Sequence, residues 1–366
     1  MSWRLNPTMK TACTLLALVC FIQGTCDKAT AQEVLTPRQP IPTLAQAQTI
    51  LLTTSVFKME EKVNPRPLVQ TIARRLREVG YSVVTDPTQS HDVTVLFRCQ
   101  EPDPQKWQAL PPGANLLESS VPPCVVSYSF EGKPIKWQRI DTIVFSEGVQ
   151  AAERAATTML GQGPGPGPLP ASTRFLEHFD FPLLLSAEWG QVDRLLTLLD
   201  DPETSLERKR KIVKLLGEIR ADQACPRITQ ALQDQFLIVE ATYALGSFGA
   251  KARPHLIRML QNSPNLEVQV AAAHSLGRVL AAMGDTSLTP FLLEFLTSPD
   301  VDMRVQIEIV WALGKAPDFR AHPVLEKLQS QIWQIRSNDP ELQKLRAAVD
   351  WSIREVRQGG HTDAYY

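Results

Sequence analysis

The C-terminal half of this chain repeats one short phrase of helical residues, and this repeat restricts the possible folds more than any other feature. The clearest copy, EIVWALGK, spans residues 308–315, and related copies span residues 241–246, 272–277 and, more weakly, 212–217. In the first three copies, apolar residues four and eight places before the leucine share one face of a helix. We expect the glycine after that leucine to end the helix, since glycine adopts the left-handed conformation at little steric cost.

A second, shorter helix that begins near a proline is predicted upstream of the three clear copies and of a weaker final copy at residues 345–353, but the copy at residues 212–217 lacks this proline. Proline suits the start of a helix because the N–H that it lacks would be unpaired there. The prolines at these positions are Pro226, Pro254, Pro290 and Pro323. Turn-forming residues separate the two helices, so the unit is a helical hairpin that recurs every ~30 to 37 residues, a period typical of helical solenoids.

These residues resemble HEAT repeats, especially the short bacterial kind known as PBS-lyase HEAT-like repeats, which have a proline in the first helix and Ala-Leu-Gly in the second. The resemblance covers residues 171–358. It implies a curved stack of hairpins whose surface binds other proteins. A minority of the family attach or remove bilin chromophores, but no catalytic motif of theirs carries over residue by residue. The first and last units depart from the pattern, as terminal caps of such arrays do.

The N-terminal half has a different pattern. Residues 44–160 alternate as strands around two amphipathic helices, in the order strand, helix, three to four strands, helix, which predicts a small α+β domain. The first helix is predicted near residues 65–79, ending at Gly80, and a strand over residues 135–145 is predicted to precede the second helix, which begins near Ser146. Residues 161–170 alternate glycine and proline and are predicted to link two independently folded parts. The fold class is therefore an α+β domain followed by an all-α HEAT-like superhelical solenoid, with a flexible tail at residues 359–366.

The first 31 residues are typical of a secretory signal peptide. A basic start precedes a short apolar run, and the small residues Ala29 and Ala31 follow it. The rival interpretation is an uncleaved anchor, and membrane association is expected only if this segment is retained. A proline-rich leader follows at residues 32–43. We therefore expect an exported protein of the periplasm or cell envelope.

Three cysteines follow the signal segment. Cys99 ends one predicted strand and Cys124 begins another, so the two form either a disulfide that clamps the intervening loop or two separate buried thiols. Cys225 lies at the start of a repeat helix and is expected to pack there. No paired Cys-x-x-Cys or histidine cluster accompanies them, so the sequence predicts neither a metal nor a cofactor.

Several residues are candidates for contacts with a partner. Trp107 lies in a long loop that is either a contact loop or disordered, and Trp189 belongs to a residue type that is enriched at interface hot spots. His274 lies between apolar repeat positions as a packed or groove-lining residue. A basic run either binds an acidic partner or is simply solvated, and its members are Arg208, Lys209, Arg210 and Lys211.

The predicted function rests on the repeat and on the absence of catalytic motifs from the sequence. The chain has no G-x-S-x-G, Walker loop, H-E-x-x-H or dinucleotide fingerprint. Its formal net charge of −1 gives no overall field that would recruit nucleic acid. The sequence therefore predicts a non-enzymatic scaffold or assembly adaptor for another envelope protein. The alternatives are an enzyme that resembles the chromophore lyases, and an α+β domain that binds a small ligand or an envelope polymer.

Overall fold

The computed structural model describes residues 44–102, 122–163 and 167–359. The predicted signal peptide, the proline-rich leader, Trp107 and nearly all of the C-terminal tail lie outside these residues. Within the described ranges, none of the helices combines the length and the apolar character that a membrane span requires.

A mixed six-stranded sheet organises the N-terminal half. Its strands are β1 Thr49–Lys58, β2 Glu61–Val63, β3 Ser82–Val84, β4 Val93–Glu101, β5 Cys124–Phe130 and β6 Lys133–Ile135. β1 pairs in parallel with β3 and β4 and antiparallel with β2, and β4, β5 and β6 follow one another antiparallel. Helix α1, Arg66–Glu78, supplies the crossover that the parallel β1–β3 pair requires.

Side-chain alternation decides which face of the sheet is covered. In β4, Val95 and Phe97 are buried while Leu96 between them is exposed, the period-two pattern of a sheet with one covered face. Helix α1 presents Leu68 and Ile72 to the core, both fully buried. The N-terminal part therefore has the predicted α+β class.

The rest of the described chain is helical. The helices are α2 Asp141–Gln162, α3 Pro170–His178, α4 Phe181–Glu188, α5 Val192–Asp200, α6 Leu206–Glu218, α7 Cys225–Ala231, α8 Ile238–Leu245, α9 Arg253–Asn262, α10 Leu266–Met283, α11 Thr289–Thr297, α12 Met303–Lys315, α13 His322–Gln334 and α14 Pro340–Arg357. From α5 onward they form five hairpins, and the predicted α+β part followed by an all-α solenoid is confirmed.

The sheet and the helices share one hydrophobic core, whereas the sequence predicted two independently folded parts. The Phe97 ring on β4 meets the Phe181 ring on α4 with centroids 4.9 Å apart, and Trp189 packs edge-on against Tyr81 and Tyr128 at 5.7 and 5.8 Å. All five side chains are buried. Helices after the Gly-Pro segment thus cover part of the apolar face of the sheet.

We call the contact between the sheet and the helices after residue 167 the junction. Buried carboxylates fix the junction by capping helices across it. Glu101 of β4 accepts hydrogen bonds from the backbone N–H groups of Ala171 and Ser172, at 2.8 and 3.0 Å, at the start of α3. Glu188 of α4 accepts from the N–H groups of Arg139 and Ile140 at the start of α2, and from the Tyr128 hydroxyl. Carboxylates are stabilised at helix N-termini by the unpaired N–H groups and the helix dipole.

The Glu188 cap also explains where α2 begins. Alternation predicted a strand over residues 135–145 and a helix from Ser146, but the helix begins at Asp141. The strand prediction for these residues is wrong beyond Ile135, because N–H groups just before the helix bind a side chain 48 to 50 residues away in sequence. Local sequence carries no sign of such a cap.

A third buried carboxylate, Asp180, joins the two parts by ion pairs. It lies 3.3 Å from an Nη of Arg75 on α1 and 2.9 Å from Nε of Arg208 on α6. Arg75 also donates to the carbonyl of Phe179. Removing one partner by mutation would leave an unpaired buried charge and cost about 3–5 kcal/mol.

Truncation tests the shared core. We expect a fragment of residues 44–163 to lack a cooperative thermal transition, since Phe97, Tyr81 and Tyr128 lose the residues that cover them. A fragment of residues 44–220, which keeps α3 to α6, should unfold cooperatively. Near-UV circular dichroism during a thermal melt distinguishes the two, and a cooperative melt of the shorter fragment would contradict the shared core.

The buried tyrosines make stability fall at alkaline pH. Burial raises the pKa of Tyr81 and Tyr128 well above the usual value, and the Glu188 charge raises the pKa of Tyr128 further. Above pH of about 10 the native state therefore binds more protons than the unfolded state, and the unfolding free energy decreases by up to about 1.4 kcal/mol per pH unit for each tyrosine.

We expect Tyr128→Phe to unfold with a smaller pH slope than the unmodified chain between about pH 10 and 11, the range just above the usual tyrosine pKa. Urea titrations at several pH values measure the slope, and the difference between the two proteins removes the contribution of lysine titration. Equal slopes would show that Tyr128 ionises freely in the folded protein.

Candidate interaction surface

The second helices of successive hairpins, α6, α8, α10, α12 and α14, pack side by side as one row. Each contact in the row places a glycine against a small residue of the next helix. The pairs are Gly217 with Ala244, Gly246 with Ser275, Gly277 with Ala312, and Gly314 with Ser352, where the Trp351 ring also contacts the glycine. A Cβ atom on Gly217 would lie 2.7 Å from the Cα of Ala244, so the helices approach too closely for any side chain there.

These glycines have a role different from the predicted one. Gly217, Gly277 and Gly314 lie inside helices, and Gly246 follows α8 with a φ of −56°, so none of them is left-handed. The prediction that the glycine ends the helix through a left-handed conformation is wrong. The repeat requires glycine because neighbouring backbones meet at this position.

Serine hydroxyls add hydrogen bonds to two of these contacts. Ser275 donates to the carbonyl of Thr242 at 2.9 Å, and Ser352 donates to the carbonyl of Val310 at 2.8 Å. Both carbonyls lie four residues before the glycine of their own helix. Successive helices therefore pack in the same register, which makes positions in different repeats directly comparable.

This register brings four aromatic side chains into line. In four consecutive second helices, the residue just before the small residue of the glycine contact has an aromatic ring. These residues are Tyr243 in α8, His274 in α10, Trp311 in α12 and Trp351 in α14, and we call them the aromatic row. The centroids of Tyr243 and His274 are 5.5 Å apart, and those of Trp311 and Trp351 are 4.8 Å apart. All four remain partly exposed, so the row offers an accessible surface.

Charged side chains flank the aromatic row. Nδ1 of His274 lies 3.0 Å from a carboxylate oxygen of Glu308. Arg278 lies 3.6 Å from Glu218, reaching past the intervening α8. Lys315 forms no ion pair within 4 Å in the described part of the chain, and burial lowers its pKa while nearby Glu308 raises it. Arg278 and Lys315 immediately follow the glycines of α10 and α12, and we call them the cation pair.

The row belongs to the helices that connect successive repeats. Second helices contact one another directly, whereas each first helix contacts mainly its own second helix and short turns. A surface formed by neighbouring second helices can contact a bound chain in several repeats at once.

Other predicted contact residues are placed differently. The prediction that Trp189 contacts a partner is wrong, because this side chain is fully buried between Tyr81 and Tyr128. Two residues of the basic run also point into the molecule, since Arg208 binds Asp180 and Lys211 binds Glu147 at 2.6 Å.

The remaining contact candidates are in more exposed positions. Arg210 is exposed and donates to the carbonyl of Phe236, and Lys209 is half-buried on the same helix. His274 is part of the aromatic row. Trp107 lies outside the described residues.

Cys99 and Cys124 form a disulfide, facing each other directly across β4 and β5 with Cα atoms 4.0 Å apart. The bridge closes a loop of 25 residues. Closing a loop of that length stabilises the folded state by about 3.5 kcal/mol in the chain-entropy account. Cys225 is free and half-buried on α7.

The junction also contains a pocket of about 230 Å³ between α1, α2, α3 and α6. Its charges balance: the cations Arg75, Arg154, Arg208 and Lys211 stand against the acids Glu78, Glu177, Asp180 and Glu207. Each of these cations is already in an ion pair, so the pocket has no surplus charge for a ligand. Among the described residues no cluster of His, Cys, Asp or Glu suits a metal ion.

Comparison with known protein families agrees with the observed array of helical hairpins. The family model for HEAT repeats matches residues 192–277 and 253–338, which run from α5 through α13. A search of curated proteins found no match. Residues 192–338 thus match HEAT repeats, a type of helical scaffold that commonly mediates protein interactions and is generally not catalytic.

Substitution of a row glycine tests the close contact. Gly217→Ala should destabilise the protein by about 1–2 kcal/mol, because overpacking against the Ala244 backbone outweighs the gain in helix propensity. The matched control is Gly161→Ala near the end of α2, where an added Cβ meets nothing within 4 Å. That variant should be neutral or more stable by a few tenths of a kcal/mol. Urea denaturation of both measures the difference, and equal effects would contradict the packing role.

Proposed function

We propose that this protein is an exported scaffold, an assembly adaptor that binds another protein of the cell envelope along its aromatic row. The observation that carries the proposal is the recurrence of a partly exposed aromatic side chain at one position of four consecutive repeats. Aromatic residues are enriched at protein interfaces because they offer large contact areas at low entropic cost. A partner that lies across the row meets one such ring in each repeat.

The disulfide supports the location of this activity. Disulfides persist in secreted and periplasmic proteins and are rare in the cytosol, where thiols are kept reduced. Cys99 and Cys124 are both buried, at 0% and 4% exposure, so the bridge is part of the core of the sheet. Together with the signal-like start of the sequence, it favours folding in an oxidising compartment.

The shared core supports the adaptor role. The sheet is held at one end of the repeats by the carboxylates Glu101, Asp180 and Glu188. Its uncovered face exposes Leu96 and Val125, at 37% and 64%. A protein bound to this face and a protein bound to the aromatic row would therefore be held at a fixed separation.

Site-specific crosslinking tests the proposal in cells. A C-terminally tagged chain would carry the photo-crosslinking residue p-benzoylphenylalanine in place of Tyr243. The matched control carries it in place of Arg258, which is exposed on the first helix α9 of the same array. We expect one discrete crosslinked envelope protein with the Tyr243 variant and none with the Arg258 variant, as read by purification and mass spectrometry.

The same samples report the mature N-terminus and the cell fraction in which the protein is found. Crosslinks that are equal at both positions, or absent from both, would contradict binding through the aromatic row. A cytoplasmic chain with an intact N-terminus would contradict the export part of the proposal.

A further inference from the structure

We infer that the segment bound by the aromatic row is an extended acidic peptide, whose carboxylate lies between Arg278 and Lys315 and whose flanking apolar residues lie on the aromatic side chains. This inference rests on the proposed function and specifies the chemistry of the partner.

The aromatic row consists of two ring pairs. Tyr243 contacts His274 between α8 and α10, and Trp311 contacts Trp351 between α12 and α14. No ring contact joins His274 to Trp311 in the described structure. The row therefore offers two separate apolar platforms, with the α10–α12 boundary between them.

The cation pair lies at that same boundary. Gly277 of α10 packs against Ala312 of α12, and Arg278 and Lys315 each follow the repeat glycine of their helix, so they occupy equivalent positions on adjacent helices. Burial lowers the pKa of Lys315, and the positive charge of Arg278 lowers it further, so the two cations lie close enough to repel each other. Two neighbouring cations between apolar platforms are complementary to a carboxylate.

The acids nearby pair with Arg278 but leave Lys315 without an ion pair. Glu308 attracts Lys315, but one of its carboxylate oxygens already binds Nδ1 of His274 at 3.0 Å. Glu218 forms an ion pair with Arg278 at 3.6 Å. Lys315 has no ion-pair partner in the part of the chain that the structure describes, although it is half-buried. A carboxylate from a partner would supply one.

The spacing of the platforms sets the length of the segment. Packed helices lie about 8–10 Å apart, so the centres of the two ring pairs, two helices apart, are separated by about 16–20 Å. An extended chain advances about 3.3 Å per residue and covers that distance in about five or six residues. The segment that fits has two apolar or aromatic anchors about five residues apart, with an aspartate or glutamate between them.

A peptide library supplies the probe. Random twelve-residue peptides displayed on phage are selected against the full chain, and the most enriched peptide is synthesised with a fluorophore. We expect enriched sequences to contain a carboxylate between two apolar anchors about five residues apart. Fluorescence anisotropy then measures its affinity for the unmodified chain and for variants.

Charge reversal identifies the residue that binds the carboxylate. Lys315→Glu and Lys315→Met should each weaken binding of the peptide at least tenfold, and a peptide with lysine in place of the acid should bind Lys315→Glu better than it binds the unmodified chain. The matched control, Lys327→Glu on the first helix α13, should bind as the unmodified chain does. Circular dichroism melts confirm that each variant is folded.

The outcomes separate this inference from the proposed function. Enriched peptides without an acid, or affinities unchanged by both Lys315 substitutions, would overturn the acidic segment while Tyr243 crosslinks still support the scaffold. Absence of any enriched peptide would also overturn it. Loss of the Tyr243 crosslinks would instead overturn the proposed function.

Discussion

The close contact between a glycine of one second helix and a small residue of the next is the constraint on which the repeat array depends. It recurs in the same register four times, from Gly217 against Ala244 to Gly314 against Ser352. At such a distance neither residue can be replaced by a larger one without a clash, so the contact fixes how far each helix can rotate and slide against its neighbour. Because the register is constant, equivalent positions of successive second helices lie side by side, and the aromatic row follows from that geometry.

The second constraint is the burial of Glu101, Asp180 and Glu188 at the junction. Burying a carboxylate is costly unless its oxygens are hydrogen-bonded or paired, and each of these acids finds at least one partner in the other part of the molecule. Glu101 reaches from the sheet to a helix, and Glu188 reaches from a helix to the residues beside the sheet. These partners are in place only when the two parts are docked, so the three acids specify one arrangement of the sheet and the first helices.

The sequence predicts the elements of this fold better than their contacts. Helix α1 was expected near residues 65–79 and spans Arg66–Glu78, because its apolar period and the following Gly80 are local signals. The start of α2 was misplaced because its cap is Glu188, a tertiary contact. Trp189 was taken for an interface anchor because its burial depends on Tyr81 and Tyr128, which are distant in sequence. The aromatic row could have been found in the sequence, since Tyr243, His274 and Trp311 are each followed by a small residue, a leucine and a glycine.

The two constraints divide the repeats between different tasks. The position that carries an aromatic residue in later repeats is Lys214 in α6, and the neighbouring Arg208 and Lys211 of that helix bind Asp180 and Glu147 at the junction. The aromatic row thus begins at α8, in the first repeat whose second helix does not hold the sheet. A helix that must dock on a polar junction needs charged side chains on its flank, whereas a surface for partner binding benefits from rings. Between Lys214 in α6 and Tyr243 in α8, the equivalent position passes from a helix that docks on the junction to a helix that is available for partner binding.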